Sequence, residues 1–465
     1  MRNSFPRHII EHIMQDTKLT VKQKLGFGIF DLGGNMLFTL MSFWALKYLT
    51  DTVGIAAAWA GAAVMIGKLW DAVTDPMMGY ISDRTLSRWG RRRVYLLFGA
   101  VPMLVSMVFF FTAPQYLPSS IHVVWAIAAL MLLNTASTVI NVPYSSLTPE
   151  LTKDYHEQSS LNGYRFGCAV FGTIIGAVAV QPLVAFFARP GAPDPLLDSR
   201  GFSMMGLILG SIMALVTLIT FLGTKEKTIR REDLPKDGFF TTYFSVFKNK
   251  PFLFLLLTYA LHMTGITFLT TILSYYTENV LKRGDVTTLA LGILLITAMV
   301  FIPVSVLVSK KIGKKLTYQI CFVILSSACI VLFFLGHRLP LSFFYGVLVY
   351  AGIGVGFSYV APFAMVPDAI EYEAAKTGQR REGSYYGMWT FISKSGTALA
   401  IFLSGLVLQA GGYISNAGEG AIQPASVFKA IRIIIGPLPA LALVGAIAVV
   451  GCYPLSEKTY EELKR

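Results

Sequence analysis

The sequence predicts an all-α integral membrane protein with twelve transmembrane helices in two six-helix halves and both termini cytoplasmic. Three observations carry that expectation. Only 14% of the 465 residues are charged and 54% are hydrophobic, whereas ordinary soluble domains carry about 25% charged residues. Twelve apolar runs are long enough to cross ~30 Å of hydrocarbon, which takes roughly 20 residues each. The basic residues fall on alternate loops. The composition also excludes soluble enzymes, disordered chains and disulfide scaffolds, because so apolar a chain lacks the polar surface to cover soluble cores.

The runs span about 25–50, 57–81, 94–113, 121–147, 162–187 and 202–223, then 252–280, 287–308, 316–336, 341–367, 385–411 and 428–453. Helices satisfy their own backbone groups in lipid, and the strict alternation of barrel strands is absent. Residues 1–24 are polar and mixed in charge, with no apolar stretch before a small-residue cleavage site. The first run is therefore expected as a retained helix.

Topology follows from Lys and Arg. Residues 1–24, 82–93, 148–161, 224–251, 309–315 and 368–384, together with the C-terminal tail, hold 28 of the 39, and the opposite loops hold five. The first group is expected on the cytoplasmic side. The net charge of +13 then records orientation in a cell membrane, the inner membrane for a Gram-negative source. The partner is the lipid bilayer. No nucleic-acid partner is expected, because the basic loops are short and lack interleaved stacking aromatics.

The organisation expected is an N-terminal segment 1–24, a bundle 25–223, a central connection 224–251, a second bundle 252–453 and a tail 454–465. In the connection, Phe240, Tyr243, Phe244 and Phe247 share a helical face, as on a helix lying on the membrane. GYISDRTLSRWGRRR (79–93) and VSKKIGKK (308–315) put Gly and clustered basic residues at the same place in each half. Gly172, Gly176, Gly352, Gly354 and Gly356 suit close helix packing. GIGVGF (352–357) has no strand–helix context for a dinucleotide. Cys168, Cys321, Cys329 and Cys452 fall inside the runs at no metal-ligand spacing and are read as packing residues.

A charge at the bilayer centre costs about 2.5–3.5 kcal/mol on insertion scales, so each needs a reason. Asp31, Asp71, Asp75, Arg165 and Lys394 lie well inside runs. Lys47, Lys68, Lys429 and Arg432 lie nearer run ends and are read as snorkelling. Asp71 and Asp75 in KLWDAVTDP are four apart, on one helix face. Their repulsion calls for a cation or proton between them. A salt bridge to Lys68 or Lys394 is expected to answer one carboxylate but not both. Lys394, four residues after Thr390, needs a carboxylate partner, and the span-two pair is the nearest. A cation entering that pair would reorganise it, which is a route to coupling. Thr138, Asn141 and Ser145 form a polar stripe in the fourth run, and Asp31 and Asn35 another in the first. Arg165 cannot deprotonate, so it requires a carboxylate or a substrate group. His262 is read as packing.

Six plus six helices with repeated basic loops resemble the major facilitator superfamily. Within it, IGKLWDAVTDPMMGYISDRTLSRWGRRR, NVPYSSLTPELTKDYHEQSSLNGYRF and VPDAIEYEAAKTGQRREGSYYG resemble the glycoside–pentoside–hexuronide:cation symporters, the group of the melibiose permease. The resemblance runs from span one through span eleven. It implies alternating access, with Asp71 and Asp75 holding Na⁺ or H⁺ and Thr138 adding an oxygen. Lys394 matches that group's span-eleven lysine and Arg165 its span-five arginine. Against the melibiose permease, Asn35 replaces a sugar-binding aspartate in span one, and in span four Asn141 and Ser145 replace another and a stacking tryptophan. Asp31, Asn35, Asn141, Ser145, Arg165, Tyr359 and Trp389 are the expected substrate contacts, with Thr390 joining Lys394 in coupling.

The function expected is a secondary symporter that carries a small polar solute, a sugar, glycoside, pentoside or hexuronide, inward with Na⁺ or H⁺. No cofactor is expected beyond that ion. A lysolipid carrier is the alternative, because the sodium-dependent lysolipid symporters share these charged residues. A membrane enzyme would need a nucleophile–base pair or a metal cluster, and no such spacing is present.

Overall fold

A computed structural model describes residues 19–114, 118–151, 155–192, 194, 198–224, 245–359, 361–377, 382–415 and 423–454. Within these residues every regular element is helical. In chain order they are α1 (Val21–Thr52), α2 (Ala57–Arg84), α3 (Arg93–Phe111), α4 (Ser119–Leu151), α5 (Tyr155–Val178, continued by Val180–Phe187) and α6 (Ser199–Gly223). After the central connection come α7 (Lys250–Val280), α8 (Thr287–Ile312), α9 (Lys314–Phe334), α10 (Leu341–Glu373), α11 (Glu382–Ala410) and α12 (Ala425–Gly451). Ten are long and apolar enough to cross a membrane, and α5 with its continuation, bent by 46°, makes an eleventh. The 28-residue α2 has the length, but Lys68, Asp71 and Asp75 interrupt its apolar stretch.

Local signals set the helix starts. Thr20 and Gln23 form a reciprocal cap at α1: Thr20 Oγ1 accepts from the Gln23 amide at 3.3 Å and Gln23 Oε1 from the Thr20 amide at 2.9 Å. Asn249 caps α7 through the Phe252 amide at 3.2 Å, and its amide also donates to the Ala369 carbonyl and Tyr385 hydroxyl. That one buried side chain fixes the start of α7 against α10 and α11.

The repeat read in the loops extends to the helix ends. α1 closes in a π-turn, Tyr48–Thr52, followed by Gly54 at φ 82°. α7 closes in a π-turn, Tyr276–Val280, followed by Lys282 at φ 55°. Gly90 and Gly313, in the two basic loops, both take positive φ, 101° and 84°. Lys282 is the strained member, since a residue with Cβ disfavours that region.

Helices α1–α6 pack through α1–α5, α2–α4 and α3–α6, and helices α7–α12 through α7–α12, α8–α10 and α9–α12. α2 on α11, α1 on α7 and α5 on α8 join the two groups. Glycine permits the closest approaches. A Cβ at Gly405 would lie 2.3 Å from the Ala57 carbonyl, one at Gly172 2.0 Å from that of Leu32, and one at Gly356 2.5 Å from that of Ala298. Phe171, Phe186, Leu222 and Leu441 instead present large apolar surfaces outward, as a bilayer demands.

Three expectations are corrected. Lys47 and Lys68 do not snorkel; both are buried. Arg432 turns inward and donates to the Phe333 carbonyl at 2.6 and 3.1 Å. Cys452 lies just past α12 and is exposed, unlike the buried Cys321 and Cys329. Phe240, Tyr243 and Phe244 lie outside the described residues, and Phe247 sits in a short 3₁₀ turn, Ser245–Lys248. The N-terminal residues 1–18 and the tail from 455 are likewise outside them.

Candidate cation and solute site

At the centre of the molecule, α2, α4 and α11 bring four predicted residues together. Lys394 Nζ lies 2.6 Å from Asp71 Oδ2 and 2.5 Å from Asp75 Oδ2. Thr138 Oγ1 takes the other side, 2.6 Å from Asp71 Oδ1 and 2.8 Å from Asp75 Oδ1. From sequence, a salt bridge is expected to answer only one carboxylate. One ammonium answers both, because the i, i+4 spacing brings the two Oδ2 atoms within reach of a single nitrogen. Carboxylate and hydroxyl oxygens are also the donor set for a hard monovalent cation. The lysine nitrogen sits between the two carboxylates, opposite the Thr138 hydroxyl.

A second ion pair lies between α1, α4 and α5. Arg165 donates from Nε to Asp31 Oδ2 at 2.7 Å, from Nη2 to Asp31 Oδ1 at 3.3 Å and from Nη1 to Thr148 Oγ1 at 2.8 Å. Tyr144 completes it, its hydroxyl donating to Asp31 Oδ2 at 2.5 Å while its ring packs on Phe27 and Phe30. Tyr144 and Thr148 are not among the residues expected from sequence. Their i, i+4 spacing just below Asn141 was the available signal.

The remaining predicted residues are dispersed. Asn35 donates to the Asp31 carbonyl and Asn141 to the Ser137 carbonyl and hydroxyl, each within its own helix. The Asn141 oxygen lies toward α1, 3.3 Å from where a Gly34 Cβ would stand. Ser145 and Thr390 are exposed, and Thr390 donates to the Tyr386 carbonyl rather than toward Asp71 and Asp75. Trp389 is 3% exposed and stacks on Tyr259 at 3.9 Å, whereas Tyr359 is 45% exposed. His262 packs against Tyr318, bonded through Nδ1 at 2.9 Å.

A second lysine-centred group was not foreseen. Lys47 at the end of α1 pairs with Asp51 at 2.7 Å and with Glu278 at the end of α7. Thr50 Oγ1 meets Tyr275 Oη at 2.7 Å, and Tyr413 donates to Asp51 Oδ1 at 2.6 Å. Ser415 donates to the Ile55 carbonyl and Thr271 to that of Ser42. Among the described residues, hydrogen bonds between α1–α6 and the later helices run from Lys394 to this end of the molecule.

The chain is similar over its length to known transporters. It is 30% identical over 452 residues to the uncharacterised symporter YnaJ of Bacillus subtilis, covering 96% of this chain and 95% of that one. A putative sulfoquinovose importer of Escherichia coli is 28% identical, with 97% and 94% covered. The family model for MFS/sugar transport proteins matches residues 26–457. The chain belongs to this family, in its glycoside–pentoside–hexuronide:cation symporter group. A bacterial homologue of the human lysosomal transporter Spinster shares the fold, with a TM-score of 0.68 at 14% identity and with 95% and 97% of the two chains covered. This member of the MFS/sugar transport family is thus a multi-pass membrane transporter of the sugar-carrying type, and the enzyme alternative falls away.

Proposed function

We propose that this family member is a secondary symporter that moves a sugar or glycoside inward with Na⁺ or H⁺ across the cell membrane. On this reading α1–α12 all span the bilayer as two six-helix halves, with both termini cytoplasmic. α2 crosses despite its charges because Lys394 and Lys68 balance those of Asp71 and Asp75, and Lys394 and Thr138 hold the two carboxylates. The observation that carries the reading is Lys394, on α11, held by both Asp71 and Asp75 on α2. A cation entering between the carboxylates takes the place of the ammonium and loosens the tie between the halves, so ion occupancy biases alternating access. The bonds around Lys47 tie the two groups of helices together at the outer end. Asn35, Asn141 and Tyr359 supply amide and aromatic surface for a sugar, with Trp389 stacked behind Tyr259.

Uptake of labelled sugars and glycosides into proteoliposomes, with an imposed Na⁺ gradient, an imposed H⁺ gradient or neither, tests the reading. Transient accumulation above equilibrium under one ion gradient is expected. Uptake that only equilibrates under every condition overturns symport, and accumulation of a lysolipid instead overturns the solute class.

A further inference from the structure

We propose that Lys68 binds an anionic group on the transported solute, so that the substrate is a sugar acid or another anionic glycoside. This inference rests on the symport reading and narrows its substrate. Lys68, Asp71 and Asp75 stand at i, i+3 and i+7 on one face of α2. Lys68 is only 9% exposed. Yet both carboxylates below it are already engaged, through Oδ2 by Lys394 and through Oδ1 by Thr138. Among the described residues, no carboxylate lies within 4 Å of the Lys68 ammonium and no acceptor bonds it. Its neighbour is the Phe38 ring, 5.7 Å to the centroid, on a residue that is itself 46% exposed. A buried ammonium that touches only a ring, with nearby carboxylates already bonded to Lys394, is costly, and the cost falls when an anion is delivered to it.

Charge balance points the same way. Asp31 and Arg165 cancel each other. Asp71, Asp75, Lys394 and Lys68 also sum to zero, so the empty centre is neutral. A coupling cation brings the centre to one positive charge in a low-dielectric region, and a neutral sugar leaves it there. A monoanionic solute restores neutrality. Cation and anion then each raise the other's affinity, and such a coupling is reciprocal. A lysine offers a point charge, which suits a carboxylate or a sulfonate alike.

The test uses the purified full-length chain with and without Na⁺, at two pH values, with binding read as thermal stabilisation. The probes are D-glucuronate, D-galacturonate, 6-deoxy-6-sulfoglucose, the parent sugars glucose and galactose, and methyl ester forms of the two uronates. At least one acid is expected to bind about tenfold or more tightly than its parent and its ester, with the preference lost in Lys68→Gln and kept in Lys68→Arg. The acid-versus-ester comparison needs only the wild-type protein, so a misfolded variant does not blunt it. The most responsive probe shows whether the site takes carboxylate or sulfonate. Equal binding of acid and ester, stabilisation by neutral sugars alone, no response to any acid, or an intact preference in Lys68→Gln overturns the inference. Gradient-driven accumulation of a neutral sugar would overturn it while leaving symport standing, whereas no gradient-driven uptake at all would remove the symport reading itself.

Discussion

Two lysines join the early helices to the late ones, each between two carboxylates, and they are built differently. Lys394 approaches from α11 a carboxylate pair that lies entirely on α2. Lys47 and Asp51 both belong to α1, and only Glu278 comes from α7. If the two groups of helices part at Lys394, both carboxylates stay together on one helix with Thr138, and a small cation can fill the gap. If they part at Lys47, Lys47 keeps Asp51 while Glu278 is left without its ammonium in apolar surroundings. The first arrangement suits exchange of one cation for another. The second suits a latch that resists opening and releases without consuming an ion.

The largest effect is expected at the exchangeable site. Asp75→Asn or Asp71→Asn removes half of the anionic charge that a cation would need. Loss of one partner from a buried ion pair costs about 3–5 kcal/mol, or roughly 100-fold or more in affinity. Gradient-driven accumulation should vanish while exchange of solute across the membrane persists. Radiotracer counterflow beside net uptake measures the two separately, and normal accumulation in both variants would remove the cation role. Lys394→Ala should come next. The two carboxylates remain, so Na⁺ binding is expected to persist or tighten, but its occupancy no longer alters the contact between α2 and α11. Calorimetric Na⁺ binding with loss of coupled uptake is the expected pair of results, and unchanged uptake would make Lys394 merely structural.

Arg165→Lys should act on stability more than on coupling. The guanidinium reaches Asp31 through two nitrogens and Thr148 through a third, and an ammonium cannot span that fork. A loss of about 1–3 kcal/mol is expected, seen as a lower melting temperature with the ion dependence of uptake preserved. A shift in coupling ion would instead tie this pair to the cation site.

Sequence periodicity made the central site legible because its pieces obey local rules. Asp71 and Asp75 are spaced by one helical turn, and a lone Lys394 inside an apolar run demands a partner. The same logic missed Lys47 and Glu278. Each lies near a helix end, where snorkelling is the default reading, and their π-turns have no period that a helical template detects. The repeat itself was visible, since Tyr48-Leu49-Thr50-Asp51 and Tyr275-Tyr276-Thr277-Glu278 share Tyr, Thr and an acid at matching positions. Tyr144 was passed over for a related reason: its hydroxyl serves Asp31 on another helix, a contact that spacing within α4 does not encode. Apolarity alone also understates the fold at α2, where the charges that mark the site interrupt the hydrophobic run.

The smallest effect is expected at the latch, where it separates the two lysines most cleanly. Glu278→Gln keeps the shape of the side chain but removes the charge that Lys47 holds from across the interface. Lys47 remains paired with Asp51, so no buried ammonium is orphaned, and Tyr413 and Thr50 still bridge the halves. A shift of about 1 kcal/mol toward opening at that end is therefore expected, a few-fold change in population. A cysteine placed at Ser415, whose hydroxyl now bonds the Ile55 carbonyl, reports it through faster labelling by a membrane-impermeant reagent. The Na⁺ or H⁺ requirement of uptake should not change. If Glu278→Gln abolished ion dependence as Asp75→Asn is expected to do, the two lysine groups would share one role, and the division between exchange site and latch would fail.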